Sequence, residues 1–156
     1  MLALSCRAIQ PGSGHAEGRA LLCAMYEAHF GAPMPPIAYL DRGKPYFPGS
    51  PIHFSITHTD HHVFCALSDR PIGIDAEELT RDISPRLAEK ILSPAEYAQY
   101  EAAEDQRRAL LTFWVLKEAQ GKRSGQGISG YPNKTCFELH DPRVTVREGC
   151  LLAIIE

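Results

Sequence analysis

Two acidic residues lie two positions apart at the end of the apolar segment 72–77, which reads Ile-Gly-Ile-Asp-Ala-Glu. Alternate residues of a β-strand point to the same face, so we expect Asp75 and Glu77 to project together while the apolar residues fill the other face. A third acid, Glu118, continues an apolar helical stretch, and Lys122 follows one turn later on the same helix face. Three carboxylates on two apolar elements need a positive partner, because burying an unpaired charge is costly.

A divalent cation would meet that need if the three carboxylates converge. At a separation of about 5 Å and an effective dielectric of about 20, each pair of carboxylates repels by roughly 3 kcal/mol. Because the ligand atoms would all be oxygen, Mg2+ is the expected ion, with Mn2+ as a substitute. Spacing alone leaves an alternative open, in which Asp75 and Glu77 are solvated acids at a strand end and Glu118 and Lys122 form a surface pair.

Basic and hydroxyl groups elsewhere in the chain could hold an anion beside that cation. Lys44 stands in a Gly-Lys-Pro turn whose path its two neighbours restrict. His58 ends a predicted strand and is flanked by the hydroxyls of Thr57 and Thr59, which could bond phosphate oxygens. Together with Lys122 these residues predict a site for linked phosphates, since Mg2+ usually binds few carboxylates together with substrate phosphates.

A group of histidines defines the competing interpretation, a zinc-dependent hydrolase or a zinc-stabilised binding module. Four of them fall within ten residues: His53, His58, His61 and His62. His53 and His58 would point to opposite faces of a strand, the other two fall in a predicted turn, and the chain has no HExxH helix. The spacing therefore argues against zinc. A non-catalytic interaction domain is the third class, and it predicts no ordered metal.

The elements that must position these residues follow from hydrophobic periodicity, and their order predicts an α+β chain. Between residues 84 and 104 the pattern is helical, with Ser93 as N-cap and Pro94 in the first turn. Residues 134–155 are predicted to form short strands linked by turns. The other predicted elements are strands at 2–9, 37–40, 52–58, 61–68 and 71–78, and helices at 14–30 and 105–123.

Composition is that of an ordinary globular protein of one domain. The 156 residues are 44% hydrophobic and 22% charged, with net charge -3 and a pI near 6.2, so no basic field predicts nucleic-acid binding. No stretch reaches the roughly 20 apolar residues of a membrane span, and the first residues lack the pattern of a signal peptide. The five cysteines are scattered and odd in number, which favours buried thiols in a reducing cytoplasm over disulfides.

Four motifs, in this order, resemble those of the 4'-phosphopantetheinyl transferase superfamily. They are GKP at 43–45, FSITHT at 54–59, IGIDAEE at 72–78 and FWVLKEAQGKRSGQG at 113–127, and they cover roughly residues 42–130. About 40 residues separate the acid pair from the KEA helix, and some 70 residues precede the acid pair. The chain therefore resembles a short version of the surfactin-synthetase-activating (Sfp) type, rather than the holo-acyl-carrier-protein synthase type, in which the acid pair lies at the N-terminus.

The resemblance implies one domain of two similar α+β halves, approximately residues 1–70 and 71–156, that form a pseudo-dimer with the active site in the cleft between them. It implies a Mg-dependent enzyme, a monomer in the cytoplasm, that transfers 4'-phosphopantetheine from coenzyme A to a serine of an apo acyl or peptidyl carrier protein and releases 3',5'-ADP. The expected carrier is acidic and helical, and the sequence does not specify whether it serves fatty-acid, polyketide or nonribosomal-peptide synthesis.

Site residues carry over motif by motif. The resemblance implies that Asp75, Glu77 and Glu118 are the Mg2+ ligands, and that Lys122 contacts the diphosphate. It also implies a catalytic role for Lys122 and His58, as positive groups on the phosphates. Glu118, directly or through a metal-bound water, is our expected base for the acceptor serine.

Coenzyme A binding is implied for Lys44, Thr57, His58 and Lys122, with the 3'-phosphate among the groups held. The family's Ser-His-Ser is here Thr-His-Thr, which keeps the hydroxyls and adds methyl groups. The shorter N-terminal half leaves the adenine contacts unmapped, and the candidates for these contacts are Arg7, Arg19 and Arg42. The role of Lys117 stays open.

Overall fold

The computed structural model describes residue 1, residues 3–128 and residues 134–156. The first part of the chain forms β1 (Ala3–Ala8), α1 (Gly14–Phe30), β2 (Ala38–Tyr39), β3 (Pro45–Tyr46), β4 (His53–His58) and β5 (His62–Ser68). The second part forms β6 (Gly73–Glu78), a 3-10 turn (Pro85–Leu87), α2 (Ala88–Ile91), α3 (Pro94–Ala102), α4 (Gln106–Ser124), β7 (Val144–Arg147) and β8 (Cys150–Ile155).

Two antiparallel sheets of three strands share one strand order. In each sheet the last strand is central: β5 lies between β1 and β4, and β8 lies between β6 and β7. In this register Thr57 lies opposite Phe64 and Asp75 lies opposite Ala153. The strands β2 and β3 form a separate two-stranded ladder. Each sheet therefore pairs the first strand of its part of the chain with the last.

Side-chain hydroxyls of β4 join the two sheets. The backbone N–H of Ile74 donates to Ser55 Oγ at 3.0 Å, and the N–H of Ala76 donates to Thr57 Oγ1 at 3.3 Å. Both hydroxyls belong to buried side chains, where an unpaired backbone N–H would be costly. The acidic strand β6 is thus bound edge-on to β4 without a backbone ladder between them.

Apolar residues form three clusters that hold the layers together. One cluster packs α1 against the first sheet, and includes Leu21, Leu22, Val63, Cys65 and Leu67. A second packs the helices of the second part against β8, and includes Leu111, Phe113, Leu116, Leu151 and Ala153. The third joins the two sheets, through Phe64, Ala66, Ile72, Ile74, Ala76 and Leu152. As predicted, the face of β6 opposite its acids is apolar and buried.

A buried ion pair fixes α3 to α4. Lys117 Nζ lies 2.8 Å from Glu96 Oε2, and the two side chains are 1% and 0% exposed. The same carboxylate accepts from the backbone N–H groups of Ser93 at 2.7 Å and Phe137 at 2.9 Å. Lys117 also donates to the carbonyl of Thr135 at 2.9 Å. The network ties two helices and the segment after α4 into one unit.

Most predicted elements are confirmed, with corrections in two places. The helical pattern over 84–104 is not one helix, because Leu92 is extended (φ -83, ψ 138) and separates α2 from α3. The predicted N-cap is confirmed at the start of α3. The Ser93 hydroxyl accepts a hydrogen bond from the N–H of Glu96, and Pro94 is the first residue of the helix. Pro45, predicted as the last residue of a turn, instead begins β3 and pairs with Tyr39 of β2. Residue 2 of the predicted first strand, and residues 129 and 130 of the motif region, lie outside the described residues.

Cysteine burial is also corrected. All five cysteines are free thiols, as predicted, but Cys65 and Cys150 are buried, Cys6 and Cys23 are partly buried, and Cys136 is exposed. None of the helices in the described part of the chain is long and apolar enough to cross a membrane.

Candidate active site

One cavity of about 480 Å3 brings together the acids that the sequence singled out. Strand β6 contributes Asp75 and Glu77 to its lining, and helix α4 contributes Glu118. Basic and aromatic groups complete this part of the lining, among them His58, Arg81, Trp114 and Lys122. We call it the carboxylate cavity. Its volume is in the range of small-ligand sites.

Asp75 is the most enclosed of the three acids, with 5% of its surface exposed. Its Oδ1 accepts from Lys122 Nζ at 2.6 Å and from Thr57 Oγ1 at 3.1 Å. Its Oδ2 is buried and has no hydrogen-bond partner among the described residues. Burial raises the pKa of Asp75 above its ordinary value, although Lys122 and Thr57 oppose that shift.

Glu77 is paired on one oxygen by two neighbours. Its Oε1 accepts from Trp114 Nε1 at 3.1 Å and forms an ion pair with Arg81. The Arg81 guanidinium also lies over the Trp114 ring, 5.7 Å from the ring centroid. Strand β6, the turn after it and helix α4 therefore meet at this carboxylate.

Glu118 is half-buried on the α4 wall of the carboxylate cavity. Burial and the charge of Asp75 raise the pKa of Glu118, while Lys122 and Arg81 act in the opposite direction. A carboxylate with a raised pKa accepts a proton more readily near neutral pH. This environment is suited to a general base.

Thr57 lines the carboxylate cavity, and its hydroxyl is bonded to strand β6. Its hydroxyl donates to Asp75 and accepts from the N–H of Ala76. A hydroxyl has only one proton to donate, so Thr57 could donate to a phosphate only by releasing Asp75. In this structure its hydroxyl orients a carboxylate.

His58 lies at the end of β4, against the start of helix α1. A Cβ built on Gly14 would lie 2.4 Å from His58 Cγ, so the absence of a side chain at position 14 allows the imidazole to lie there. His58 lines the carboxylate cavity together with His15 and Arg19 of α1. The cavity therefore has a basic side formed by the first part of the chain.

Lys44 lies in a second cavity of about 240 Å3, which also contains Glu118 and Lys122 in its lining. Gly43 has φ +82, the left-handed conformation that favours glycine, as the predicted turn requires. Lys44 Nζ donates to the carbonyl of Arg123. Burial and the charge of Arg123 lower the pKa of Lys44. The lysine is thus close to the predicted site but separated from the Asp75 side of it.

The three arginines considered for adenine contacts lie in different places. Arg19 contacts the Tyr39 hydroxyl, and both residues line the carboxylate cavity. Arg42 lines the second cavity. Arg7 forms an exposed pair with Glu17, with 3.2 Å between Nη1 and Oε2. Two of the three candidates are therefore near the predicted site, and Arg7 is not.

The histidines of the zinc interpretation face different surroundings. His58 lines the carboxylate cavity, whereas His61 Nδ1 lies 2.7 Å from Glu78 Oε1. The ring of His62 lies 6.4 Å from that of Phe64. His53 has its pKa lowered by burial and by the charge of Lys44. No observation in the described part of the chain favours a shared zinc site.

The donor chemistry of the carboxylate cavity fits a hard divalent cation. The three acids offer only oxygen ligands, and Asp75 Oδ2 is a buried oxygen with no partner among the described residues. In the arrangement shown, no three His, Cys, Asp or Glu side chains of the described residues are close enough to hold a metal ion together. Lys122 and Arg81 instead each take one carboxylate oxygen.

Arg81 and Trp114 are cavity residues that sequence reasoning did not select. Trp114 lies one helical turn before Glu118, so the helix period could have placed both on one face. Arg81 follows the end of β6, where neither strand nor helix periodicity applies. Nothing in the sequence alone indicates that its side chain returns to Glu77.

Comparison with known proteins identifies the family. A family model for the 4'-phosphopantetheinyl transferase superfamily matches residues 71–153, more than half of the chain. The chain is 38% identical over 108 residues to "4'-phosphopantetheinyl transferase Sfp" of Bacillus subtilis (strain 168), covering 67% of this chain and 48% of that protein. It is 32% identical over 140 residues to "4'-phosphopantetheinyl transferase psf-1" of Bacillus pumilus, covering 83% and 58%.

A third relative, "4'-phosphopantetheinyl transferase gsp" of Aneurinibacillus migulanus, is 38% identical over 88 residues, covering 55% of this chain and 36% of its own length. The chain thus spans about half the length of the curated relatives it matches. The resemblance drawn from the four sequence motifs is confirmed. This chain belongs to the 4'-phosphopantetheinyl transferase superfamily.

Proposed function

We propose that this chain transfers 4'-phosphopantetheine from coenzyme A to a serine of an apo carrier protein. The observation that carries the proposal is the meeting of Asp75, Glu77 and Glu118 with Lys122 and His58 around one cavity, in a chain of this superfamily. The relatives' names support the same activity. Acids and bases lining one cavity can hold a cation and linked phosphates at the same time.

Asp75, Glu77 and Glu118 are the proposed ligands of Mg2+, or of Mn2+ as a substitute. A bound divalent cation would supply neutralisation of charge on the diphosphate of coenzyme A. Asp75 Oδ2, which is buried and has no hydrogen-bond partner in the part of the chain that the structure describes, supports this role for Asp75. Thr57 supports it indirectly, because its hydroxyl holds the other oxygen of the same carboxylate.

The remaining groups bind phosphate and move one proton. Lys122 and His58 donate charge-assisted hydrogen bonds to the phosphates, and Lys44 holds a phosphate of the coenzyme at the second cavity. Glu118 accepts the proton of the carrier serine, which its raised pKa favours. The serine oxygen bonds to the β-phosphorus, the bond from that phosphorus to the bridging oxygen breaks, and 3',5'-ADP leaves with that oxygen.

The two sheets support the proposed architecture of two similar halves. Both place their last strand in the centre, with the first strand on one side of it, and each packs against one long helix, α1 or α4. The carboxylate cavity takes His58 from the first part of the chain and Asp75 from the second. We therefore place the active site in the cleft between the halves. A single chain supplies all of its proposed residues, which supports a monomer.

The test is the intact mass of a carrier protein. Purified chain is incubated with coenzyme A, Mg2+ and an apo carrier, beside the same mixture with EDTA and a carrier whose acceptor serine is alanine. We expect the carrier to gain one phosphopantetheine group only in the complete mixture. No gain, on a carrier that a full-length relative modifies in the same buffer, would refute the proposal. If the purified protein contains zinc and the carrier gains no mass, the result would favour the zinc-dependent hydrolase or zinc-stabilised binding module.

A further inference from the structure

Glu77 forms an ion pair with a basic side chain of the same protein. Arg81 forms an ion pair with Glu77 Oε1, and Trp114 Nε1 donates to the same oxygen. The Glu77 side chain is 18% exposed and that of Arg81 is 40% exposed, so the carboxylate end of the pair is shielded from water while the guanidinium end is partly solvated. One oxygen of this proposed cation ligand is therefore already paired.

Arg81 is held in place by contacts that an incidental surface pair would lack. Its guanidinium lies over the Trp114 ring at 5.7 Å. Its backbone carbonyl accepts from Arg107 Nη1 at 3.1 Å, and Arg107 also donates to the carbonyl of Leu79 at 2.7 Å. Helix α4 thus fixes both the main chain and the side chain of Arg81. The position of the guanidinium beside Glu77 is a built feature of the site.

Two cationic side chains of the protein each pair with a proposed cation ligand. Arg81 pairs with Glu77 Oε1, and Lys122 Nζ lies 2.6 Å from Asp75 Oδ1. Both cations line the carboxylate cavity together with Glu118. A divalent cation entering among the three carboxylates would be repelled by Arg81 and by Lys122.

We propose that Arg81 is an internal counter-ion that competes with a divalent cation for Glu77, and so sets the cation affinity of the carboxylate cavity. The inference rests on the cation site of the proposed function. Arg81 is a positioning residue in this account, since it acts through Glu77. Cation binding and the Arg81–Glu77 ion pair are thermodynamically linked. Removing the Arg81 charge should therefore make the free energy of cation binding more favourable by the amount that the competition costs.

The test is Mn2+ binding by EDTA-treated, dialysed protein, followed by the electron paramagnetic resonance signal of free Mn2+. Arg81→Gln, which keeps much of the side chain and removes the charge, should bind Mn2+ about tenfold more tightly than the unchanged chain, within the usual range for coupled sites. Arg81→Lys should remain within about threefold of the unchanged chain, because it keeps the charge. Arg86→Gln is the matched control, since Arg86 is exposed and is not among the residues lining the cavity.

Thermal unfolding gives a second readout that does not depend on transfer activity. Without Mn2+, Arg81→Gln should have the lower melting temperature, because a mostly buried Glu77 has lost its ion pair. Saturating Mn2+ should raise the melting temperature of Arg81→Gln by more than that of the unchanged chain. In a Glu77→Gln background, the effect of Arg81→Gln on Mn2+ affinity should shrink to threefold or less, since the competition operates through that carboxylate.

The possible results distinguish the counter-ion role of Arg81 from the cation site itself. Equal or weaker Mn2+ binding in Arg81→Gln, with normal binding in the unchanged chain, would overturn the counter-ion role and leave the cation site standing. An undiminished tenfold effect in the Glu77→Gln background would also overturn it, because Arg81 would then act as a general field. No Mn2+ binding by any variant would overturn the cation site, and this inference with it.

Discussion

At the scale of single residues, Asp75 and Glu118 lie in surroundings that penalise their negative charge. Burial raises the pKa of both, and Asp75 adds its own charge to the effect on Glu118. A carboxyl whose pKa is higher in the folded state contributes stability below its ordinary pKa, and that contribution is lost as the pH rises through the raised value. The two acids therefore favour the fold at low pH and oppose it near neutrality.

Thermal unfolding of EDTA-treated protein tests this sign. The ordinary pKa values of Asp75 and Glu118 are 3.8 and 4.5. As the pH rises from these values, the melting temperature should fall, because the stabilising contribution of the two acids is lost. Glu118→Gln removes one of the two groups, so its melting temperature should fall less than that of the unchanged chain between pH 4.5 and neutrality. Parallel pH profiles for the two proteins would show that Glu118 does not titrate in this way.

Glu118→Gln also tests the proposed base. The amide keeps the size of the side chain but cannot accept the serine proton, so kcat should fall by about 10²- to 10⁴-fold. Coenzyme A should still bind, because Lys44, His58 and Lys122 are unchanged. Isothermal titration with coenzyme A and the rate of carrier mass gain separate the two effects. A kcat within a factor of three of the unchanged chain would exclude Glu118 as the base.

At the scale of secondary-structure elements, the buried pair of Glu96 and Lys117 holds α3, α4 and residues 135–137 together. Lys117 precedes the proposed base, and its side chain pairs with Glu96 of α3 and is not among the residues lining the carboxylate cavity. This gives Lys117, whose role the sequence left open, a structural part in orienting α4. Only the tertiary fold could reveal it, because its partner lies on a different helix.

Lys117→Met should destabilise the protein by about 3–5 kcal/mol, since it leaves the Glu96 carboxylate buried without its counter-ion. Urea unfolding followed by circular dichroism measures the loss. Adding Glu96→Gln to Lys117→Met should recover part of it, because the uncompensated charge is removed. If the double variant is as unstable as the sum of the two single variants, the pair does not act as a unit.

The contact between β6 and α4 sets the distance between the acids of the two elements. Gly73 lies so close to α4 that an added Cβ would be 2.0 Å from the carbonyl oxygen of Ala119. That oxygen belongs to the helix backbone and cannot rotate away. The absence of a side chain at position 73 is therefore what lets β6 bring Asp75 to Glu118.

Gly73→Ala should push α4 from β6, cost roughly 1–3 kcal/mol of stability and weaken Mn2+ binding. Melting temperature and Mn2+ titration check the two effects. Gly18→Ala is the matched control, because the atoms nearest to its added methyl belong to the side chains of Ile56 and Val63, which are not proposed site residues. Unchanged Mn2+ affinity in Gly73→Ala would show that this close approach does not set the site.

Prediction from sequence succeeded where the periodicity of one strand or helix determines which side chains share a face. The two-residue period of β6 put Asp75 and Glu77 on one side, and the helix period put Glu118 and Lys122 together on α4. It failed where tertiary contacts decide: Leu92 interrupts a helical pattern, and Arg81 returns to Glu77 from a turn. Spacing also gave no sign that the Thr57 hydroxyl bonds to Asp75. Such choices depend on which groups lie nearby in space, and spacing along the chain does not contain that information.

At the scale of the whole molecule, a net charge of -3 is compatible with the proposed phosphate site, because local charges differ from the overall charge. The carboxylate cavity collects acids from the second part of the chain and His58 with Arg19 from the first. Lys44 and Arg42 lie in the adjoining cavity. The overall charge therefore argued against a nucleic-acid partner but not against a nucleotide held by a local cluster.

The central claim is that transfer takes place in the carboxylate cavity, and Asp75→Ala tests it most directly. The measurement is the initial rate of carrier mass gain for the unchanged chain and for Asp75→Ala, at equal coenzyme A, Mg2+ and carrier, with circular dichroism to verify that both are folded. We predict a fall of at least about 100-fold in Asp75→Ala, since a cation ligand is lost. A folded Asp75→Ala that modifies the carrier at the rate of the unchanged chain would contradict the account.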